Sequence, residues 1–203
     1  MGAVMQNDTY KTIEGTSEGL YKEKGSKFLA FAHPVDNLEA VKALLDDYRK
    51  RYHDARHVCF AYSLGPEREE TKAGDDGEPS GTAGRPILGQ IQSFGLTNVL
   101  VVVVRYFGGI LLGTGGLVVA YKSAAAEALS QAVVVEKTVD VILQIHVEYP
   151  FLDTTLRLLR KWEASIVEQS FALDCQLRVT VRKQSVEPLC EALEKVETLH
   201  LEA

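Results

Sequence analysis

Residues 99–117 constrain the fold more tightly than any other part of the chain. Val99–Phe107 is apolar at every position except Arg105, and it leads directly into glycines at 108, 109, 113, 115 and 116. A strand with one wet face alternates, so a continuous apolar run predicts a strand covered on both faces. The fold must then supply a layer on each side of it. After the glycines, the apolar pattern predicts a long helix over roughly Gly116–Val133. Glycine lets backbone approach closely and turn tightly, and a helix start offers unpaired N–H groups. Strand, glycine loop and helix start can together cradle a phosphate or a carboxylate. The same glycines also fit a purely structural turn, and both explanations stand. The spacing is neither a Walker loop nor the dinucleotide fingerprint. Tyr106–Tyr121 carries no charge, yet its sixteen residues contain five glycines; a spanning helix needs about 20 mostly apolar residues.

Upstream, Thr9–Leu20 and Lys27–Pro34 read as strands of a hairpin turning at Lys24-Gly25-Ser26. Asp36 can cap a helix whose apolar face is Val41, Leu44, Leu45 and Tyr48. Val58–Leu64 alternates like a strand. Gly65–Arg85 is a polar loop too long for an ordinary connection, and Pro86 suits the first turn of a further helix. The rhythm changes near Glu136–Thr138. Strand (Val139–Glu148), helix (Phe151–Trp162), strand (Ser165–Phe171), strand (Cys175–Arg182), helix (Val186–Val196) and strand (Leu199–Leu201) follow, the βαββαβ order of ferredoxin-like domains. The expectation is an α+β protein of two domains, residues 1–136 and 137–203. Base stacking on the second domain would need aromatics on its central strands. The exposed positions there include Gln144, His146, Gln176 and Arg178, and none is aromatic.

The long polar loop contains Asp75-Asp76-Gly77-Glu78-Pro79-Ser80-Gly81-Thr82-Ala83-Gly84-Arg85. Asp75, Asp76 and Glu78 are the hard oxygen ligands that Mg²⁺ favours, although a solvated acidic loop accounts for them as well. Ser80 lacks the spacing of a nucleophile elbow, which argues against a serine hydrolase. His53 and His57 stand four apart outside any zinc-protease frame.

The net charge is −6, with 14 basic and 17 acidic side chains in residues 1–136 and 8 and 11 in residues 137–203. That even deficit is the wrong sign for non-specific duplex binding. The three cysteines, Cys59, Cys175 and Cys190, are odd in number and lack zinc or redox spacing, so they read as buried free thiols. No basic and apolar leader opens the chain, which predicts a cytoplasmic protein.

Arg105-Tyr106-Phe107-Gly108-Gly109, with Leu112-Gly113, Gly115-Gly116-Leu117 and Ala120-Tyr121, resembles the hallmark stretch of the IMPACT family in its bacterial branch. Asp75–Pro79 with Gly81–Gly84 and Pro86 is similar to a second signature of that family. Asp54–His57 with Cys59, Ala61 and Tyr62 is similar to a third, and Lys24–Phe28 more loosely to a fourth. Val58 stands where bacterial relatives often have a second histidine, and Gly74 where Ser or Asn is common. The resemblance implies a first domain like the second domain of a small-subunit ribosomal protein. It implies a second domain like the fifth domain of elongation factor G. Eukaryotic relatives regulate translation initiation through partner proteins, partly with an added RWD domain, a module this chain is not expected to include.

The resulting expectation is a non-enzymatic binding protein linked to translation, with the ribosome, structured RNA or a ribosome-associated factor as partner and no cofactor. Its anion or partner site would combine Arg105, Tyr106, Gly108, Gly109, Gly113, Thr114, Gly115 and Gly116 with Ser80, Gly81, Thr82, Gly84, Arg85 and His57. The rival is an enzyme acting on a small phosphorylated metabolite or nucleotide, with Mg²⁺ held by Asp75, Asp76 and Glu78. A third option leaves both loops structural and puts binding on the second domain.

Overall fold

In the computed structural model, which describes residues 8–196 and 200–202, the opening strand divides at Gly15. That residue adopts a φ of +73°, which ends β1 (Thr9–Glu14) and sends β2 (Ser17–Glu23) off in a new direction. β2 pairs with β3 (Ser26–Pro34) across a two-residue turn, Lys24-Gly25, with both residues at positive φ. Helix α1 (Leu38–Arg51) is capped by Asn37 rather than Asp36: Asn37 Oδ1 accepts the Ala40 N–H at 2.8 Å. The Asp36 carboxylate instead accepts from the Asn37 side chain.

β4 (His57–Leu64) is followed by β5 (Glu70–Gly74) inside the segment expected to be loop. β5 is a polar edge strand whose exposed side chains form no apolar alternation, so no hydrophobic pattern marks it. After α2 (Gly84–Ser93) and β6 (Val99–Tyr106), helix α3 spans Gly113–Ser130, three residues earlier at each end than expected. Val133 belongs instead to β7 (Val133–Thr138), which pairs with β1.

β6 is central in an antiparallel sheet of order β2-β3-β6-β4-β5. Its alternate residues feed two cores. Leu100, Val102 and Val104 pack with Val41, Leu45 and Tyr48 of α1. Val101 and Val103 pack with Ile87 and Ile91 of α2 and with the Ala120, Ala124 and Ala128 stripe of α3. Small side chains on α3 allow close approach to β2: a Cβ on Gly19 would lie 2.4 Å from the Ala128 nitrogen.

Packing divides the chain into one unit of Tyr10–Lys137 and another that begins at Thr138 and takes in Asp8 and Thr9. Asp8 joins the second unit because its carboxylate receives Arg182 at 3.1 and 3.2 Å, and its carbonyl accepts the Val139 N–H. The second unit runs β8 (Asp140–Val147), α4 (Leu152–Lys161), β9 (Ser165–Phe171), β10 (Cys175–Arg182), α5 (Lys183–Leu193) and β11 (His200–Glu202). Leu199, where the last strand was expected to begin, lies outside the described residues. Its sheet is antiparallel in the order β11-β8-β10-β9. Leu143, Ile145, Leu177 and Val179 face Leu159 and Leu189. Gln144 and His146 stand opposite Arg178 and Gln176 on the wet face. Both units are mixed α and β. Among the described residues no helix is long and apolar enough to cross a membrane.

Candidate functional site

Register across three strands builds the site. Phe28 of β3 and His57 of β4 both stand opposite Arg105 of β6, so the three side chains form a row on the face covered by α2 and α3. Tyr106, the next residue along, must point to the other face. It does so and donates to Asp54 Oδ1 at 2.9 Å, which removes it from the expected site.

Arg105 is not a free charge. It is 5% exposed, and its Nη1 donates to Glu78 Oε1 at 2.6 Å; Glu78 is 8% exposed. The Tyr121 hydroxyl donates to the same oxygen at 2.8 Å, and His57 Nε2 lies 3.7 Å from it. The guanidinium carbon sits 5.5 Å from the Phe28 ring centre and 5.7 Å from that of Phe107. Arg105 Nε has no hydrogen-bond partner. His57 Nδ1 is 2.7 Å from the Asp76 carbonyl, which can only accept, so Nδ1 carries the proton and Nε2 faces Glu78. Burial pushes the Cys59 thiol and the Tyr121 phenol well above their ordinary values, so both stay protonated.

The expected Mg²⁺ cluster does not assemble, because each carboxylate has a separate structural partner. Asp75 accepts the N–H groups of Gly81 at 2.7 Å, Ala83 at 3.0 Å and Gly84 at 2.8 Å, capping α2 from upstream. Asp76 accepts the Val58 N–H, and Glu78 holds Arg105. Among the described residues no group of three or more His, Cys, Asp or Glu side chains is placed to hold a metal. The same bonds take Gly81 and Gly84 out of the expected anion site, since Asp75 already occupies their N–H groups. The Thr82 hydroxyl is taken by the Pro79 carbonyl, while Ser80 and Arg85 are exposed. Only Glu78 and Pro79 of this loop reach the cleft described next.

Asp75 yields a pH prediction. Burial raises its pKa, but the N–H groups of Gly81, Gly84 and Ala83, with Arg85 nearby, outweigh this and hold it below the ordinary 3.8. A carboxylate depressed in the folded state contributes fully above its unfolded pKa and loses that contribution as pH falls through the folded value. Asp75→Ala is therefore expected to cost about 1–2 kcal/mol at pH 7. In urea titrations the gap from the parent should close as pH falls below about 4. A gap independent of pH would contradict the charged cap.

A cleft of about 520 Å³ opens above the Arg105 row. Arg56, His57, Glu78 and Arg105 supply its polar lining; Phe107, Leu111, Leu112 and Leu117 supply its apolar lining. Gly113 and Thr114 place the start of α3 at its edge, and the first turn of that helix has neither a side-chain cap nor an acidic residue. Gly109, Gly115 and Gly116 lie outside the lining, and Gly108 packs on the backbone of Gly25. The motif reading missed Arg56, Phe107, the three leucines and Tyr121. Strand register would have found the row, and the i, i+4 step from Gly113 to Leu117 would have found the wall.

Every residue of this cleft falls within residues 24–129, which match the Impact N-terminal domain. IMPACT family member YigZ of Escherichia coli (strain K12) is 39% identical over 160 residues, 78% of each chain. A hypothetical protein of known crystal structure is 34% identical, with a TM-score of 0.74 over 97% of both chains. Protein IMPACT of Oryctolagus cuniculus is 38% identical over 96 residues, 45% of this chain and 30% of that one.

Proposed function

The chain belongs to the IMPACT family, and from that premise we propose that it is a non-enzymatic binding protein linked to translation, acting on the ribosome or a ribosome-associated factor. One surface carries the proposal. Phe107, Ile110 and Leu111 are 48%, 56% and 82% exposed, in a stretch without a single charge, and Phe107 and Leu111 line the cleft. Large apolar side chains left exposed at a cleft are a mark of a partner site. The ionisable groups next to it support binding over chemistry. Glu78 is tied to Arg105 and Tyr121, His57 Nδ1 is held by a carbonyl, and burial keeps Cys59 and Tyr121 protonated. We read the second unit as ferredoxin-like from its element and strand order, and the first as the ribosomal-protein type on the family resemblance.

Co-sedimentation with the cell's own ribosomes across a salt series tests this. Leu111→Asp changes an exposed side chain and is expected to reduce pelleting at least tenfold. Arg56→Ala, also at an exposed position, should weaken binding and flatten its salt dependence. No pelleting at any salt, or pelleting unchanged in both variants, rejects the proposal.

A further inference from the structure

The two helix starts that border the glycine loops differ. Asp75 takes the Ala83 and Gly84 N–H groups at the start of α2, whereas the first turn of α3 has no side-chain cap and opens on the cleft. Arg105 lines the same cleft at 5% exposure with its Nη1 held by Glu78, and its buried Nε has no hydrogen-bond partner. Among the described lining residues Glu78 is the single acid and is already paired with Arg105, so exposed Arg56 is the cation that remains. With the partial positive charge of a helix N-terminus added, the polar side of the cleft favours an anion. Phe107, Leu111, Leu112 and Leu117 offer an anion nothing, but they do offer surface to hydrocarbon. The volume of about 520 Å³ is that of a small-molecule site.

We propose that this cleft binds a small amphipathic anion: an aromatic or aliphatic body ending in one carboxylate or phosphate group. The anionic end meets Arg56, His57 and the start of α3, beside the Arg105–Glu78 pair. The body lies against Phe107 and the leucines and covers Leu111, which is 82% exposed. Neither a bare inorganic anion nor a neutral hydrocarbon uses both parts of the lining. This inference does not rest on the translation proposal, and its test needs no ribosome.

The full chain is titrated with 2-naphthoate, octanoate and octyl phosphate, with 2-naphthamide and inorganic phosphate as matched controls. Binding is followed by calorimetry and by backbone amide NMR. At least one amphipathic anion is expected to saturate one site per chain, tenfold or more tighter than either control. The amides of Gly113, Thr114 and Leu117 should shift. Arg56→Ala and Leu111→Ser, both at exposed positions, should each weaken binding threefold or more. The proposal fails if all three anions bind no better than the controls, if the shifts fall elsewhere, or if neither variant changes affinity. It also fails in favour of a protein partner if acetyl-Leu-Glu-Leu-amide binds at the same amides as tightly as the anions.

Discussion

Arg105→Ala is expected to lower folding stability by about 3–5 kcal/mol, the usual cost of removing one member of a buried ion pair. Glu78 would keep its burial, at 8% exposure, and lose its closest partner, leaving only the Tyr121 hydroxyl and the more distant His57 ring. The cation–π contacts to Phe28 and Phe107 would go as well. Much of this cost belongs to the stranded carboxylate, so removing both charges should recover most of it. The double variant Arg105→Met with Glu78→Gln is expected to unfold in urea within about 2 kcal/mol of the parent, since apolar replacement of a whole buried pair is often neutral. The coupling between the two positions is read from a double-mutant cycle. A loss below about 1 kcal/mol for Arg105→Ala alone would place the pair among exposed ones. The result also decides how the site can be probed. A binding defect in Arg105→Ala reports on folding, so Arg56 and Leu111 are the positions to vary for recognition.

This revises what the sequence implied for Arg105. An arginine in an apolar strand beside glycines looks like a lone charge awaiting an anion, because its counter-ion is 27 positions away on another loop. Pairings at that separation leave no local pattern. Asp75 illustrates the same limit, since it caps α2 from outside the helix while Ala83, at the cap position, contributes no side-chain bond. The burial of β6 was legible because an uninterrupted apolar strand fits only between two covering layers. β5 was not legible, because an edge strand that keeps its first three residues exposed and packs only Ala73 on the core carries no apolar pattern. Tyr106 was misplaced although the information was present: adjacent strand residues face opposite ways, so Arg105 and Tyr106 could never line one cleft. Reading the motif as a contiguous block concealed that alternation.

The glycines can be separated in the same way. Gly108→Ala is expected to cost about 3 kcal/mol or more, at the upper end of overpacking effects. A Cβ there would lie 1.9 Å from the Gly25 carbonyl carbon, 2.2 Å from the Ser26 nitrogen and 2.4 Å from the Gly25 oxygen. These are backbone atoms, so no side chain can rotate aside. Gly25 is also fixed by its φ of +80° in the β2–β3 turn, and the Gly108 N–H donates to Ser26 Oγ at 3.1 Å. Either the turn or the loop carrying Phe107 and Leu111 must move, so ligand binding should fall together with the unfolding midpoint. Gly115→Ala is the contrasting case. A Cβ at Gly115 meets nothing within 4 Å, the residue is not at positive φ, and it lies in the first turn of α3. Stability should hold or rise by up to about 1 kcal/mol through helix propensity. If the two substitutions destabilise equally in urea, the close packing of the Gly108 loop on the β2–β3 turn is not what holds this region. If Gly115→Ala folds normally and yet loses binding to ribosomes or to an amphipathic anion, the bare backbone at the start of α3 is required by what docks there.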